Sequence, residues 1–260
     1  MSTSVALNDT LFESTLVETS FPSRVKSLSW LRADLVRVHL TVPADFPCFH
    51  SGQYIELALE DGTTRPFSIA NYHPRAEEIE LHIESRADSQ ATWRMVRQMQ
   101  QCGEIRICQA KGSVQLKRHI GPQVFLAAGT GFAQIKALME QYLLNRHPSS
   151  NVDEFPAYLF WGSEQPEQRY LEKLIEGWCR HHKNLRYLPL NWQTGDCWGK
   201  AVTAEVERLS QCQIYACGSP RRIYQTLDHL EREGVSATQM QSDVFSYAPR
   251  PPKNAPGNTF

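Results

Sequence analysis

The hydrophobic period of this 260-residue chain changes near residue 120. That change constrains the fold more than any other feature. Before it, apolar and polar residues alternate with period two over residues 36–42, 54–59, 79–84 and 104–108. Pro43 and Asp61-Gly62 punctuate these runs. Short alternating runs at this spacing predict an antiparallel barrel or sandwich. One helix is expected among them, over 91–100, with Ser89 as its N-cap. After residue 120 the apolar runs become continuous, at 124–128, 157–161, 185–190 and 214–217. Helical spacing follows each: Phe132, Ile135, Leu138, Met139, Tyr142 and Leu143 after the first, then 168–179, 202–209 and 223–232. Such alternation predicts a parallel sheet covered on both faces.

Two domains are therefore expected, an antiparallel β-barrel over 22–118 and an α/β parallel-sheet domain over 119–247. Residues 1–21 form an N-terminal extension. Residues 248–260, with four Pro after residue 248, are expected to be a disordered tail.

Composition excludes several classes. With 27 Lys+Arg against 28 Asp+Glu, the chain lacks the basic excess of a nucleic-acid binder. No window approaches ~18 consecutive apolar residues, so no membrane span is expected. Residues 1–20 lack the basic and apolar segments of a secretory signal. Seven irregularly spaced Cys fit a reduced, cytoplasmic setting. Cys212 and Cys217 stand as C-x4-C, but Pro220 occupies the place of a third iron–sulfur ligand, so no metal site is expected. His181-His182 reads as a solvated helix end.

Three segments carry candidate chemistry. Gly129-Thr130-Gly131 lies between a buried strand and a helix, where backbone N–H groups and the positive helix end can hold phosphate. The other reading is a tight turn without a ligand. Cys217-Gly218-Ser219-Pro220 repeats that arrangement on the same sheet edge, as an elongated dinucleotide would require; Cys217 read alone is a small buried hydrophobe. Arg65-Pro66-Phe67-Ser68 could offer a cation, a ring and a hydroxyl, or be an ordinary loop entering a strand.

Taken in order, these segments resemble the ferredoxin–NADP reductase superfamily, closest in look to NAD(P)H-flavin reductases and to oxygenase reductase components without an iron–sulfur domain. Gly52-Gln53-Tyr54, Trp161-Gly162 and Ser242-Asp243-Val244-Phe245 extend the match over about residues 22–247. The resemblance implies a flavin-binding barrel followed by an NAD(P)-binding domain, with FAD, or FMN or an exchangeable flavin, as cofactor and NAD(P)H as hydride donor. Arg65 would meet the flavin phosphate. Phe67 would contact the ring and Ser68 its N5 edge, with Pro66, Ile83 and Ser89 on the same side. Cys217 would lie beside the nicotinamide, among Gly129, Thr130, Gly131, Gly218 and Pro220, with Phe245 or Tyr247 near the flavin. Ser163 and Arg169 would face a coenzyme 2′-phosphate and Tyr170 the adenine, although Arg169 also fits a helix-surface pair with Glu172. Glu164 and Glu167 lie among them, so use of both coenzymes is expected, with NADH at least as good as NADPH. Two departures stand out. Ala133-Gln134 replaces the family's Ala-Pro, and the loop 85–89 lacks its usual Gly.

The implied reaction is hydride transfer from NAD(P)H to a flavin, for which the reacting atoms must come within roughly 3–3.5 Å. Two alternatives stay open: an FAD-containing reductase component that passes electrons to a ferredoxin or oxygenase partner, and a non-enzymatic regulatory or scaffold subunit on the same fold.

Overall fold

The computed structural model describes residues 20–73, 75, 77–85, 89–145 and 155–251. The expected extension thus falls outside the described residues up to 19, the loop 85–89 does so at 86–88, and the tail at 252–260. The chain divides into two compact units, Met1–Gly112 and Ser113–Phe260. Val114, 2% exposed, packs in the core of the second unit together with Leu116. That packing sets the division a few residues before the change in sequence period.

The first unit is a six-stranded antiparallel sheet. Its strands are β1 (Ser20–Arg32), β2 (Leu35–Thr41), β3 (Tyr54–Ala58), β4 (Thr64–Ser68), β5 (Glu78–Glu84) and β6 (Glu104–Cys108). Their order is β4-β3-β6-β1-β2-β5, and an Ile69–Leu81 bridge joins the two ends into a barrel. The inward residues of the alternating runs fill the core: Val36, Val38, Leu40, Ile55, Leu57, Ile79, Leu81, Ile105 and Ile107. The long strand β1 escapes the sequence reading for a physical reason. Its pairing with β2 shifts register between Val25 and Ser27 and again between Trp30 and Arg32. Each shift inverts which side chains face inward, so no single period-two pattern runs along it. Pro66 sits in β4, at an end of the strand order, where a missing N–H is tolerated. Helix α1 (Gln90–Cys102) buries Thr92, Met95, Val96 and Met99, and ends on Gly103 in the left-handed region.

The second unit is a parallel five-stranded sheet: β7 (Gln123–Ala128), β8 (Ala157–Ser163), β9 (Leu185–Asn191), β10 (Gln213–Cys217) and β11 (Met240–Gln241). Its helices are α2 (Phe132–Leu144), α3 (Glu172–His181), α4 (Trp198–Glu205), α5 (Pro220–Arg232) and α6 (Val244–Tyr247). The order β11-β10-β7-β8-β9 means that the chain winds outward from β7 through β8 to β9, then returns to the other side of β7. The reversal lies between β7 and β10, and ligands of open α/β sheets bind outside the carboxyl ends of the strands at such a point. Helix α3 starts later than its periodicity suggested, because Pro166–Gln168 form a separate turn capped by Gln165. Helix α4 lies four residues earlier than expected: it starts with buried Trp198 and ends at Val206, before Arg208 turns left-handed. The expected tail begins as ordered chain: Tyr224 Oη donates to the Ala248 carbonyl, and Arg250 pairs with Asp228 and Glu231.

Candidate functional site

In the barrel unit, the candidate residues gather around β4 and the start of α1. A groove of about 580 Å³ is lined by Thr63, Arg65, Ser89, Gln90, Ala91 and Arg94. Arg65 is exposed on its edge strand and donates from Nη1 to its neighbour's carbonyl, Thr64 O, at 2.7 Å. Among the described residues it has no carboxylate partner. Arg94 is different: it pairs with Asp61 at 2.7 Å, and this bond holds the Asp61 carboxyl down at about 2. Ser89 stands at the N-cap of α1, but its Oγ meets Thr92 Oγ1 at 2.7 Å instead of a backbone N–H. No acidic residue stands in the first turn either. The positive end of a 13-residue helix thus opens onto a groove that carries an unmatched guanidinium. This donor set fits a phosphate. Phe67 packs partly against the barrel core, and Ser68 pairs with Tyr54 at the end of β4. Ile83 is fully enclosed in the core, so its side chain serves the barrel. A larger groove of about 680 Å³ opens beside Arg97, Cys102 and Arg106, with none of the sequence-selected residues in its lining.

In the α/β unit, the two Gly turns meet at the strand-order reversal. Gly129, with φ 53°, opens a one-turn helix that leads into α2. Its carbonyl accepts from Trp161 Nε1 at 3.0 Å, and Phe132 stacks on Trp161 with ring centroids 3.9 Å apart. Gly131 faces Cys217 with no room for a side chain. Gly218 is packed between Trp198 and Ala128, and Pro220 opens α5 behind the N-cap Ser219. Burial pushes the Cys217 thiol up to about 12, with the Asp243 charge adding to the effect. Cys217 is therefore a neutral S–H at physiological pH, suited to ring contact and not to nucleophilic attack.

Asp243 was legible only as part of a motif, and Gln134 only as a departure from one. The structure joins them: Gln134, 1% exposed, donates from Nε2 to Asp243 Oδ2 at 2.5 Å. Asp243 Oδ1 is buried without a partner, and burial raises the carboxyl's pKa against the opposing effect of Gln134. The signal available in the sequence was a Gln between Ala133 and Ile135, in the first turn of a helix with a long apolar face. Phe245, 37% exposed, rests on Tyr224 at 5.6 Å, and Tyr247 is 66% exposed.

In the loop after β8, Arg169 forms the expected pair with Glu172. Arg169 donates from Nε to Glu172 at 2.7 Å and from Nη1 to Ser163 Oγ at 2.9 Å. Ser163 Oγ in turn donates to the Gln165 carbonyl. Both expected phosphate contacts are thus occupied within the loop. Tyr170 meets Trp161 edge-on at 5.2 Å. Sequence reasoning missed a second cation here: Arg222 lies over the Trp192 ring at 4.1 Å and pairs with Glu164 at 3.0 Å. Trp192 itself covers Gly162, where a β-carbon would lie 1.7 Å from its ring.

Comparisons with known proteins agree with this geometry. Residues 125–228 match the family model described as Oxidoreductase NAD-binding domain. The NAD(P)H-flavin reductase of Aliivibrio fischeri is 28% identical over 207 residues, covering 75% of this chain and 85% of its own. Reductase component 2 of terephthalate 1,2-dioxygenase from Comamonas sp is 26% identical over 239 residues, covering 88% of this chain and 69% of its own. Among solved structures, a ferredoxin NADP+ reductase from Neisseria gonorrhoeae with bound FAD and NADP superposes with a TM-score of 0.71 at 15% identity, covering 86% of this chain and 97% of that one. The chain has the two-domain fold of ferredoxin–NADP reductase-like proteins: an antiparallel barrel followed by a parallel α/β unit. Its nearer sequence relatives include flavin reductases and reductase components of oxygenases.

Proposed function

We infer that this protein is an NAD(P)H-dependent oxidoreductase that transfers a hydride from NAD(P)H to a flavin. The observation that carries the reading is the meeting of Gly129–Gly131 with Cys217 and Gly218 at the strand-order reversal of the parallel sheet. A bound flavin supplies the hydride-accepting ring, and NAD(P)H the hydride. The chain's own residues bind and orient. Arg65 and the amino end of α1 hold the flavin phosphate in their groove, helped by Ser89. Phe67 would contact the ring and Ser68 would offer its hydroxyl to the N5 edge, while Pro66 fixes the strand just before them. Gly129, Thr130, Gly131 and Gly218 admit the nicotinamide end of the coenzyme close to backbone. Cys217 would pack beside that ring as a neutral thiol.

We assign the unit that ends at Gly112 to flavin binding and the unit that begins at Ser113 to the coenzyme. Among the described residues no helix is long and apolar enough to cross a membrane. The seven cysteines are free thiols, which supports a cytoplasmic setting. The leading reading is a free-standing NAD(P)H-flavin reductase. A second reading, a flavin-bearing component that passes electrons to a separate redox protein, is favoured by the similarity to the dioxygenase reductase component. Steady-state oxidation of NADH by the purified full chain tests both. Activity that requires added flavin supports the first, and a firmly bound yellow flavin reduced by NADH supports the second. A colourless protein that leaves NADH untouched with or without added flavin contradicts both.

A further inference from the structure

Gln134 and Asp243 form a buried polar pair in the α/β unit. Gln134, 1% exposed, stands in the first turn of α2, directly after the Gly129–Gly131 turn. Its Nε2 donates to Asp243 Oδ2 at 2.5 Å. Oδ1 of the same carboxyl is buried without a partner. Each group gives up water to reach the other, so the pair adds little net stability. What it adds is direction.

Asp243 precedes α6, yet its side chain makes no cap for that helix. Helix α6 has four residues, too few to hold its shape alone. Side chains anchor it instead. Val244 is buried in the core of the unit. Tyr224 meets Phe245 at 5.6 Å and donates to the Ala248 carbonyl. Gln134 fixes Asp243, and so ties α6 to the helix that follows the first Gly turn. Asp243 also lies within electrostatic reach of Cys217 on β10 and of Tyr247 on α6. Burial is the main cause that raises both groups, and the Asp243 charge adds to each. The pair thus stands where α2, β10 and α6 converge.

We propose that Gln134 is a positioning residue for the coenzyme: its bond to Asp243 clamps α6 against the turn that receives the nicotinamide end. The proposal rests on the assignment of that turn to NAD(P)H. An amide N–H bonds a carboxylate more strongly than a carboxylic acid, so the clamp tightens when Asp243 is ionised. Gln134→Met keeps the volume and removes the donor, so no clamp forms at any pH. Gln134→Glu inverts the dependence. At low pH the two carboxyls share one proton and keep a bond; at higher pH two like charges face each other.

Calorimetric titration of the flavin-free full chain with NADH, from about pH 8 to about pH 5, tests this. The wild type should bind NADH more tightly at the upper end, and Asp243→Asn should remove that trend. Gln134→Met should bind NADH roughly 2- to 12-fold more weakly than the wild type at the upper end, the scale of one ordinary hydrogen bond, with the trend gone. Gln134→Glu should show the reverse trend: close to wild type at the lower end and weaker at the upper. Gln134→Met with the affinity and trend of the wild type would overturn the clamp. So would Gln134→Met and Gln134→Glu weakened alike at every pH, the mark of a merely structural loss. A wild type that binds no NADH at any pH would defeat the coenzyme assignment, and the clamp with it.

Discussion

Gly131 lies so close to Cys217 that a β-carbon at residue 131 would sit 2.5 Å from the Cys217 carbonyl oxygen and 3.1 Å from its sulfur. The obstructing atom at 2.5 Å is backbone, so it cannot swing aside. The turn after β7 and the end of β10 are locked together by the absence of one methyl group. Gly131→Ala should therefore destabilise the α/β unit by about 1–3 kcal/mol, the usual cost of overpacking. It should also weaken NADH more than flavin. Thermal denaturation and the KM for NADH check it; a variant with wild-type values for both would show that the contact is slack.

Arg169 is 9% exposed at its side chain and carries its bonds to Glu172 and Ser163 within one loop. Arg169→Ala should thus reduce activity with NADH and NADPH alike, leaving the ratio of their kcat/KM within about threefold. Both coenzymes should be used, NADH at least as well as NADPH. Steady-state kinetics decide this. A selective loss of NADPH activity, on the scale of the ~1.5–3 kcal/mol of a charged hydrogen bond, would mean that Arg169 leaves Glu172 to read the 2′-phosphate.

Ser68→Ala should slow hydride transfer more than it weakens flavin binding. A neutral hydrogen bond is worth about 0.5–1.5 kcal/mol, so the rate should fall roughly 2- to 12-fold. The loss appears in the rate if the contact tightens in the transition state. Stopped-flow reduction by NADH measures it, and an unchanged rate with weakened binding would make Ser68 a binding residue only.

Burial raises the Asp243 pKa above its ordinary value of 3.8. The sign follows from linkage: the folded state favours the protonated acid, so this stabilisation is complete below pH 3.8 and is lost as pH rises through the raised folded value. Asp243→Asn keeps an oxygen for the Gln134 bond and removes the buried charge. Its stability relative to the wild type should therefore improve as pH rises from about 4 to 7. Urea denaturation across that range checks it; a relative stability that falls with pH would mean that the ionised carboxylate is the favoured form.

The fold was legible where local patterns are regular. The change of period near residue 120 separated barrel from parallel sheet, and the Arg169–Glu172 pair was readable from its spacing of three, although Arg169 lies in the turn before α3 and not on the helix. Strand β1 was hidden by its two register shifts, and the end of α4 by Val206, whose extended backbone stops the helix before its apolar spacing does. The site was legible as motifs and not as contacts. Gln134 and Asp243 are 109 residues apart, and Arg222 and Glu164 are 58 apart. Nothing local announces such pairs; they exist because β7, β8, β10 and β11 bring their carboxyl ends to one edge.

The central claim is that this chain carries hydride from NAD(P)H to a flavin, and an anaerobic titration tests it most directly. The full chain, loaded with FAD, is titrated with NADH while the flavin's visible absorption is followed. The account predicts bleaching that saturates at one NADH per flavin, much faster than in free solution and slowed in Ser68→Ala. Flavin that binds but stays oxidised with both NADH and NADPH would contradict it.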